Sequence, residues 1–295
     1  MKPRVAKPAS VLADDPPVSG RIGFPRQARY GRARLKFPER TGEAAMGEAP
    51  FKDHFSSAAP GYAAHRPTYP AALAEALAEL APGRGLALDC GCGNGQLARL
   101  LAGPFGRVVA TDASAAQIAE APPHPKIDFR VAPAEASGLP TACADLITAA
   151  QAAHWFDLAL FYAEARRVAR PGAVLALISY GVLHLDGAAE AVLRHFYTQV
   201  VGPYWPPERA HVEAGYRTLP FPFAELPAPD LAIEAAWSLD DLVGYAGTWS
   251  ALRGAEAALG KSPLPDFARD LAAVWGEPET RRRVRWPLAF RLARL

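Results

Sequence analysis

Between residues 71 and 180 two hydrophobic rhythms alternate along the chain. Ala71 to Leu80 carries Leu73, Leu77 and Leu80 at spacings of three and four, the stripe of a helix laid on a core. Leu86-Ala87-Leu88 then runs unbroken into Asp89, as a buried strand does, and Gln96 to Leu101 returns to helical spacing. Further short apolar runs predict strands at Arg107–Thr111, Ile127–Val131, Ala144–Ala150 and Ala173–Tyr180. Helices fall between them at Ala115–Ala121 and Leu158–Ala169, the second entered through Asp157 and closed by Arg170-Pro171-Gly172. Five strand–helix repeats predict an α/β fold with a doubly wound, parallel, Rossmann-like sheet.

After Tyr180 the rhythm changes. A helix is predicted over Ala188–Val201, followed by a Pro- and aromatic-rich stretch with Tyr204, Trp205, Arg209, His211, Tyr216, Arg217, Phe221 and Phe223. Such an insertion, taken as 181–230, suits a cap over a small, partly apolar substrate that can carry an anionic group, with Tyr204 and Trp205 as lining residues; it suits a plain hydrophobic cover equally. Leu231–Trp237 alternates as a half-buried strand, Leu239–Leu252 and Phe267–Trp275 read as helices, and Val284 to Leu292 is apolar at period two. That last segment predicts one antiparallel strand with arginines on its polar face, and Pro287 inside it predicts a bulge or a broken ladder.

Chemistry concentrates where the first strand ends. Asp89-Cys90-Gly91-Cys92-Gly93-Asn94-Gly95 places an acid before three glycines at every second position. A dinucleotide loop has G-x-G-x-x-G spacing and seats pyrophosphate on the helix N-terminus. The carboxylate of Asp89 would repel that group but suits a cationic amino-acid group. Asp112 ends the second strand, where it fits ribose hydroxyls, or serves as a helix cap beside Ser114. Gln151-Ala152-Ala153-His154-Trp155-Phe156-Asp157 follows the fourth strand and faces the same side. His154 is a candidate general base or anion-binding group, with local hydrogen bonding as the simpler role.

Composition narrows the classes. The chain has 295 residues, half of them hydrophobic, and a net charge of +2. Residues 1–45 hold ten Lys and Arg against four Asp and Glu, leaving the remainder at about −4, which argues against an obligate nucleic-acid binder. Residues 1–49 lack periodicity, are rich in Pro and Arg, and are expected to be a disordered basic tail before a single domain over 50–295. Three cysteines form neither a disulfide framework nor a zinc cluster, and no run is long enough to span a bilayer, so a cytoplasmic monomer or homodimer is expected.

From about Phe51 onward the chain resembles class I S-adenosylmethionine-dependent methyltransferases of the type 11 kind. It looks most like the branch containing trans-aconitate methyltransferase. The resemblance rests on Tyr62 with Arg66-Pro67-x-Tyr69-Pro70, the Asp89 to Gly95 motif, Asp112, Ala134-Glu135, the Gln151 to Asp157 loop and Arg170-Pro171-Gly172. Here Ala173 stands where the family usually repeats Gly. The resemblance implies a seven-stranded sheet with an antiparallel C-terminal strand. It implies S-adenosylmethionine as cofactor, held by Tyr62, Arg66, Asp89, Gly91, Gly93, Asn94, Gly95, Asp112, Ala113, Ala134, Glu135 and Gln151. It further implies methyl transfer to a carboxylate or hydroxyl oxygen of a small acceptor, with Trp155 near it and no metal. A nucleotide-dependent oxidoreductase and a non-catalytic cofactor-binding regulator are the competing readings.

Overall fold

The computed structural model describes residues 67–295; the expected basic tail, Tyr62 and Arg66 lie outside the described residues. The chain enters through α1 (Ala71–Leu80), whose Leu73 and Leu77 are fully buried. The alternation then proceeds as β1 (Leu86–Cys90), α2 (Gln96–Leu101), β2 (Arg107–Asp112), α3 (Ala115–Ala119), β3 (Ile127–Val131), β4 (Ala144–Ala150), α4 (Leu158–Val168) and β5 (Ala169–Ser179). Ser114 caps α3 by accepting from the Gln117 amide, and Asp157 caps α4 by accepting from Ala159 and Leu160.

Beyond β5 lie α5 (Ala188–His195), which widens into a π-helical turn over Phe196–Val200, then α6 (Arg209–Glu213) and β6 (Ala232–Trp237). There follow α7 (Leu239–Gly247), α8 (Ser250–Leu259), α9 (Leu264–Trp275), β7 (Arg282–Pro287) and β8 (Ala289–Arg294). The main sheet has the order β3-β2-β1-β4-β5-β8, parallel except for β8 against β5. Strand order reverses between β1 and β4, so the loops leaving those two strands open onto one crevice. One face is packed by α1 and α2 through Leu73, Leu97, Leu101 and Phe105; the other by α4 and the Val212–Phe223 segment through Phe161, Tyr162 and Tyr216.

Four expectations are corrected. Among the described residues the main sheet has six strands, not seven, because β6 pairs with β7 in a separate two-stranded sheet. The predicted final strand is two strands: Pro287 ends β7, the Leu288 amide bonds Leu231 instead, and the chain resumes as β8 in the other sheet. Proline removes a ladder donor, which lets the strand change sheets there. The period-two pattern survives because each half faces a different core, Val284 and Trp286 one, Phe290 and Leu292 the other. Nor is Arg291 on a polar face. It is only 9% exposed, pairs with Glu225 at 2.8 Å and donates to the Tyr216 carbonyl at 2.8 Å. The expected helix Leu239–Leu252 breaks at Thr248–Trp249 into α7 and α8.

A second apolar core collects residues from α5 through β7. Phe196 stacks on Phe267 with centroids 4.1 Å apart, and Trp275 and Trp286 are fully buried. Truncating either tryptophan to alanine removes packing of about 3–5 kcal/mol. No helix among the described residues is long and apolar enough to cross a membrane.

Candidate active site

The glycine loop is shaped by the strands it joins. Gly91, Gly93 and Gly95 all have left-handed backbones, with φ of 64°, 54° and 88°. A Cβ on Gly95 would lie 2.6 Å from the Phe129 ring, whereas one on Gly93 would meet only the Gln117 side-chain oxygen at 3.4 Å. The crevice side of the loop, at Gly93 and the half-buried Asn94, is therefore the open one. Asp112 ties the loop to β2: one carboxylate oxygen accepts from the Gly93 amide and the other from Ser114, each at 2.8 Å. Ala113, beside it, is exposed.

Asp89 is 1% exposed. One of its oxygens accepts from the Thr148 hydroxyl at 2.7 Å, and the other has no donor among the described residues. Burial pushes its carboxyl up to about 7; the Thr148 hydroxyl and the Ala98 amide pull the other way, and the charge of Asp112 adds to the rise. An orphaned buried carboxylate oxygen behind an open loop asks for a donor or a cation.

The loop after β4 supplies the facing wall. Gln151 has φ of 56°, a strained backbone for a non-glycine residue. Its amide bonds Ile178 and its side-chain amide bonds the Tyr180 carbonyl at 2.7 Å, which clamps the ends of β4 and β5 together. Ala134 is buried against β4, and the Glu135 carboxylate accepts from the Asp157 amide at 2.8 Å, so this side chain builds the loop. His154 Nδ1 lies 3.0 Å from the Tyr216 hydroxyl. Burial, with lesser contributions from the charges of Arg209 and His211, lowers His154 to about 4, so the imidazole is neutral at ordinary pH. Trp155 packs on it with centroids 4.7 Å apart and is partly exposed.

Tyr204 and Trp205 belong to the wall of the second core, where Trp205 packs against Tyr197 at 5.0 Å and Trp249 at 5.7 Å. Arg209 couples that wall electrostatically to the loop after β4. Its guanidinium lies 5.0 Å over the Trp205 ring, its Nε donates to the Tyr197 hydroxyl at 3.0 Å, and its charge reaches His154. Neither Nη atom makes a hydrogen bond to a described residue.

Sequence reasoning had not singled out Thr148, Arg209 as the link, or Tyr216 as the partner of His154. A lone hydroxyl in the apolar run of β4 was an available signal for the first. The pairing of Tyr216 with His154 spans distant chain and leaves no local trace.

A doubly wound sheet with an acid-preceded glycine loop at its switch point, and a second acid at the end of β2, defines the class I S-adenosylmethionine-dependent methyltransferases. The methyltransferase-domain family matches residues 88–177. A Dictyostelium discoideum protein named as a methyltransferase is 32% identical over 229 residues, 76% of this chain and 87% of that protein. A solved structure named as a type II methyltransferase, from Anaeromyxobacter dehalogenans, is 53% identical and covers 78% of this chain and 97% of its own, with a TM-score of 0.75. The chain belongs to this methyltransferase family, and S-adenosylmethionine is its cofactor. The residues fit that group: the open loop at Gly93 admits it, and the unpaired Asp89 oxygen suits its cationic amino-acid end.

If Asp112 holds the ribose hydroxyls, Asp112→Ala weakens S-adenosylhomocysteine binding by more than about tenfold. Calorimetric titration reads this directly, and an unchanged affinity removes Asp112 from the site.

Proposed function

We propose that this methyltransferase acts on an oxygen of a small-molecule acceptor, a carboxylate or a hydroxyl, held between the loop after β4 and a cap formed by the insertion 181–230. The carrying observation is the Arg209 fork: a mostly buried guanidinium anchored by Nε alone, set among Tyr197 and Trp205 and close enough to His154 for its charge to act there. Such a group suits the anionic end of a compact acceptor, and the aromatic rings suit its apolar body.

When bound, S-adenosylmethionine supplies a methyl group activated by its sulfonium. Asp89, Gly91, Gly93, Asn94, Gly95, Asp112, Ala113, Ala134, Glu135 and Gln151 are assigned to holding it, and Tyr62 and Arg66 join them on the family likeness alone. The chain's remaining work is to orient the acceptor in line and to exclude water. An ionised carboxylate is already nucleophilic and needs no base, which suits a histidine as weakly basic as His154. The three cysteines are free, in keeping with a reducing cytoplasm, where the protein is taken to work as a monomer or homodimer.

Incubation with S-adenosylmethionine and a panel of small carboxylic acids and phenols tests the reading through S-adenosylhomocysteine release. Methylation only at nitrogen or carbon acceptors overturns it. With an accepted anionic substrate, Arg209→Gln raises KM by about 10-fold or more while S-adenosylhomocysteine affinity stays put; equal loss of both removes Arg209 from acceptor binding.

A further inference from the structure

Tyr216 is an unusual residue to find where it is. It is fully buried, yet its backbone is left-handed with φ of 60°, costly for a bulky side chain. Its neighbours hold it there. Arg291 donates to its carbonyl, is fixed in turn by Glu225, and lies 4.6 Å over the Phe221 ring. A Cβ on the preceding Gly215 would come within 2.8 Å of Ala289, so the backbone at this point has no slack. All of this support aims one hydroxyl at one ring nitrogen, Nδ1 of His154.

The direction of that hydrogen bond decides what His154 offers to the crevice. Among the described residues the Tyr216 hydroxyl hydrogen-bonds only His154 Nδ1, so that nitrogen is the one acceptor open to the phenol proton. The reverse arrangement, with Nδ1 donating, would leave a buried hydroxyl proton without an acceptor. Burial holds the Tyr216 phenol far above its usual range, so the proton is always there to give. The ring nitrogen left over, Nε2, bonds no described residue.

We infer that Tyr216 is a positioning residue that locks His154 in the Nε2–H tautomer, so that His154 meets the acceptor oxygen as a hydrogen-bond donor and removes no proton from it. The part concerning the acceptor rests on the oxygen-methylation reading above; the tautomer does not. The groups facing the imidazole are Tyr216, Trp155 and the charges of Arg209 and His211, and both of those charges resist protonation of the ring. In the transfer itself the methyl–sulfur bond breaks toward sulfur and the oxygen–methyl bond forms from an oxygen lone pair. A carboxylate acceptor loses no proton in that step. A donor at Nε2 can hold the acceptor carboxylate with its attacking lone pair free.

The test uses the full chain labelled with 15N-histidine, and His154 is identified as the signal lost in His154→Gln. Two-bond proton–nitrogen spectra should show a protonated Nε2 and a bare Nδ1 that do not titrate from roughly pH 5.5 to 8, with or without S-adenosylhomocysteine. In Tyr216→Phe, checked for folding by S-adenosylhomocysteine binding, the single tautomer should give way to a mixture. A protonated Nδ1 in the wild type, or titration of His154 inside that window, overturns the proposal even if the variant fails to fold. With an acceptor in hand, His154→Ala should lower kcat by about 100-fold, and His154→Gln, which keeps a side-chain N–H, by less than about 10-fold. Equal losses would mark His154 as a base and overturn the donor role. Failure to bind S-adenosylhomocysteine at all would instead strike the function, leaving the tautomer measurement intact.

Discussion

Asp89→Asn should stabilise the cofactor-free protein at pH 8 while weakening S-adenosylhomocysteine binding by more than about tenfold. The two effects have one origin. The Asp89 carboxyl is raised from 3.8 to about 7 because it is buried with one oxygen unpaired. In the unfolded chain it ionises near pH 4. Between pH 4 and 7 the folded state therefore holds a proton that the unfolded state releases, and stability falls as pH rises through that window. Above pH 7 both states are ionised and the penalty is constant, of the order of 2–4 kcal/mol. Asparagine mimics the neutral acid, keeps an acceptor for Thr148, and escapes the penalty. It also forfeits the charge that a cationic ligand group would use.

His154 works with the opposite sign over nearly the same range. Its folded value near 4 lies below the ordinary 6.5, so the unfolded state binds the extra proton, and stability rises with pH between those values. The two contributions oppose each other in the wild type. Urea unfolding of wild type and Asp89→Asn at pH 5.5 and pH 8 should show the variant's advantage growing with pH. A variant less stable at pH 8, or one with unchanged ligand affinity, refutes the placement of Asp89.

The second large effect is a contrast within the glycine loop. Gly95→Ala should cost about 3–5 kcal/mol, since its left-handed backbone disfavours a side chain and its Cβ would enter the Phe129 ring at 2.6 Å. Gly93→Ala bears only the backbone strain, about 1–2 kcal/mol, because nothing but the tip of Gln117 is near. The folded Gly93→Ala protein should nevertheless lose S-adenosylhomocysteine binding, for that face of the loop is where the ligand comes close. Denaturation and calorimetry on both variants separate the roles. Full-strength binding by Gly93→Ala would show that the ligand keeps clear of this backbone.

Much of this site could be read from local chemistry. The acid–glycine loop, Asp112, and the caps at Ser114 and Asp157 depend on residues a few positions apart, and each lies where the pattern put it. What escaped the sequence depends on distant chain. Arg291 alternates with apolar residues as a solvent-facing group would, and it is buried only because Glu225 and the Tyr216 carbonyl come over it. The proline at 287 did announce a broken ladder, but no local signal says that the two halves join different sheets. Trp205 reads equally as a substrate wall or as core, and its packing on Tyr197 and Trp249 joins residues that no local pattern links.

Ser179 and Ala289 sit directly opposite each other at the β5–β8 edge, and everything from Gly181 to Leu288 leaves and returns between them. The consequence is evolutionary. Outside residues 212–226, which pack on the sheet or bridge to β8, a segment whose two ends are already pinned side by side can be lengthened or shortened without re-registering the strands beneath it. Acceptor preference can then diverge while the cofactor loop, encoded far upstream, is inherited unchanged.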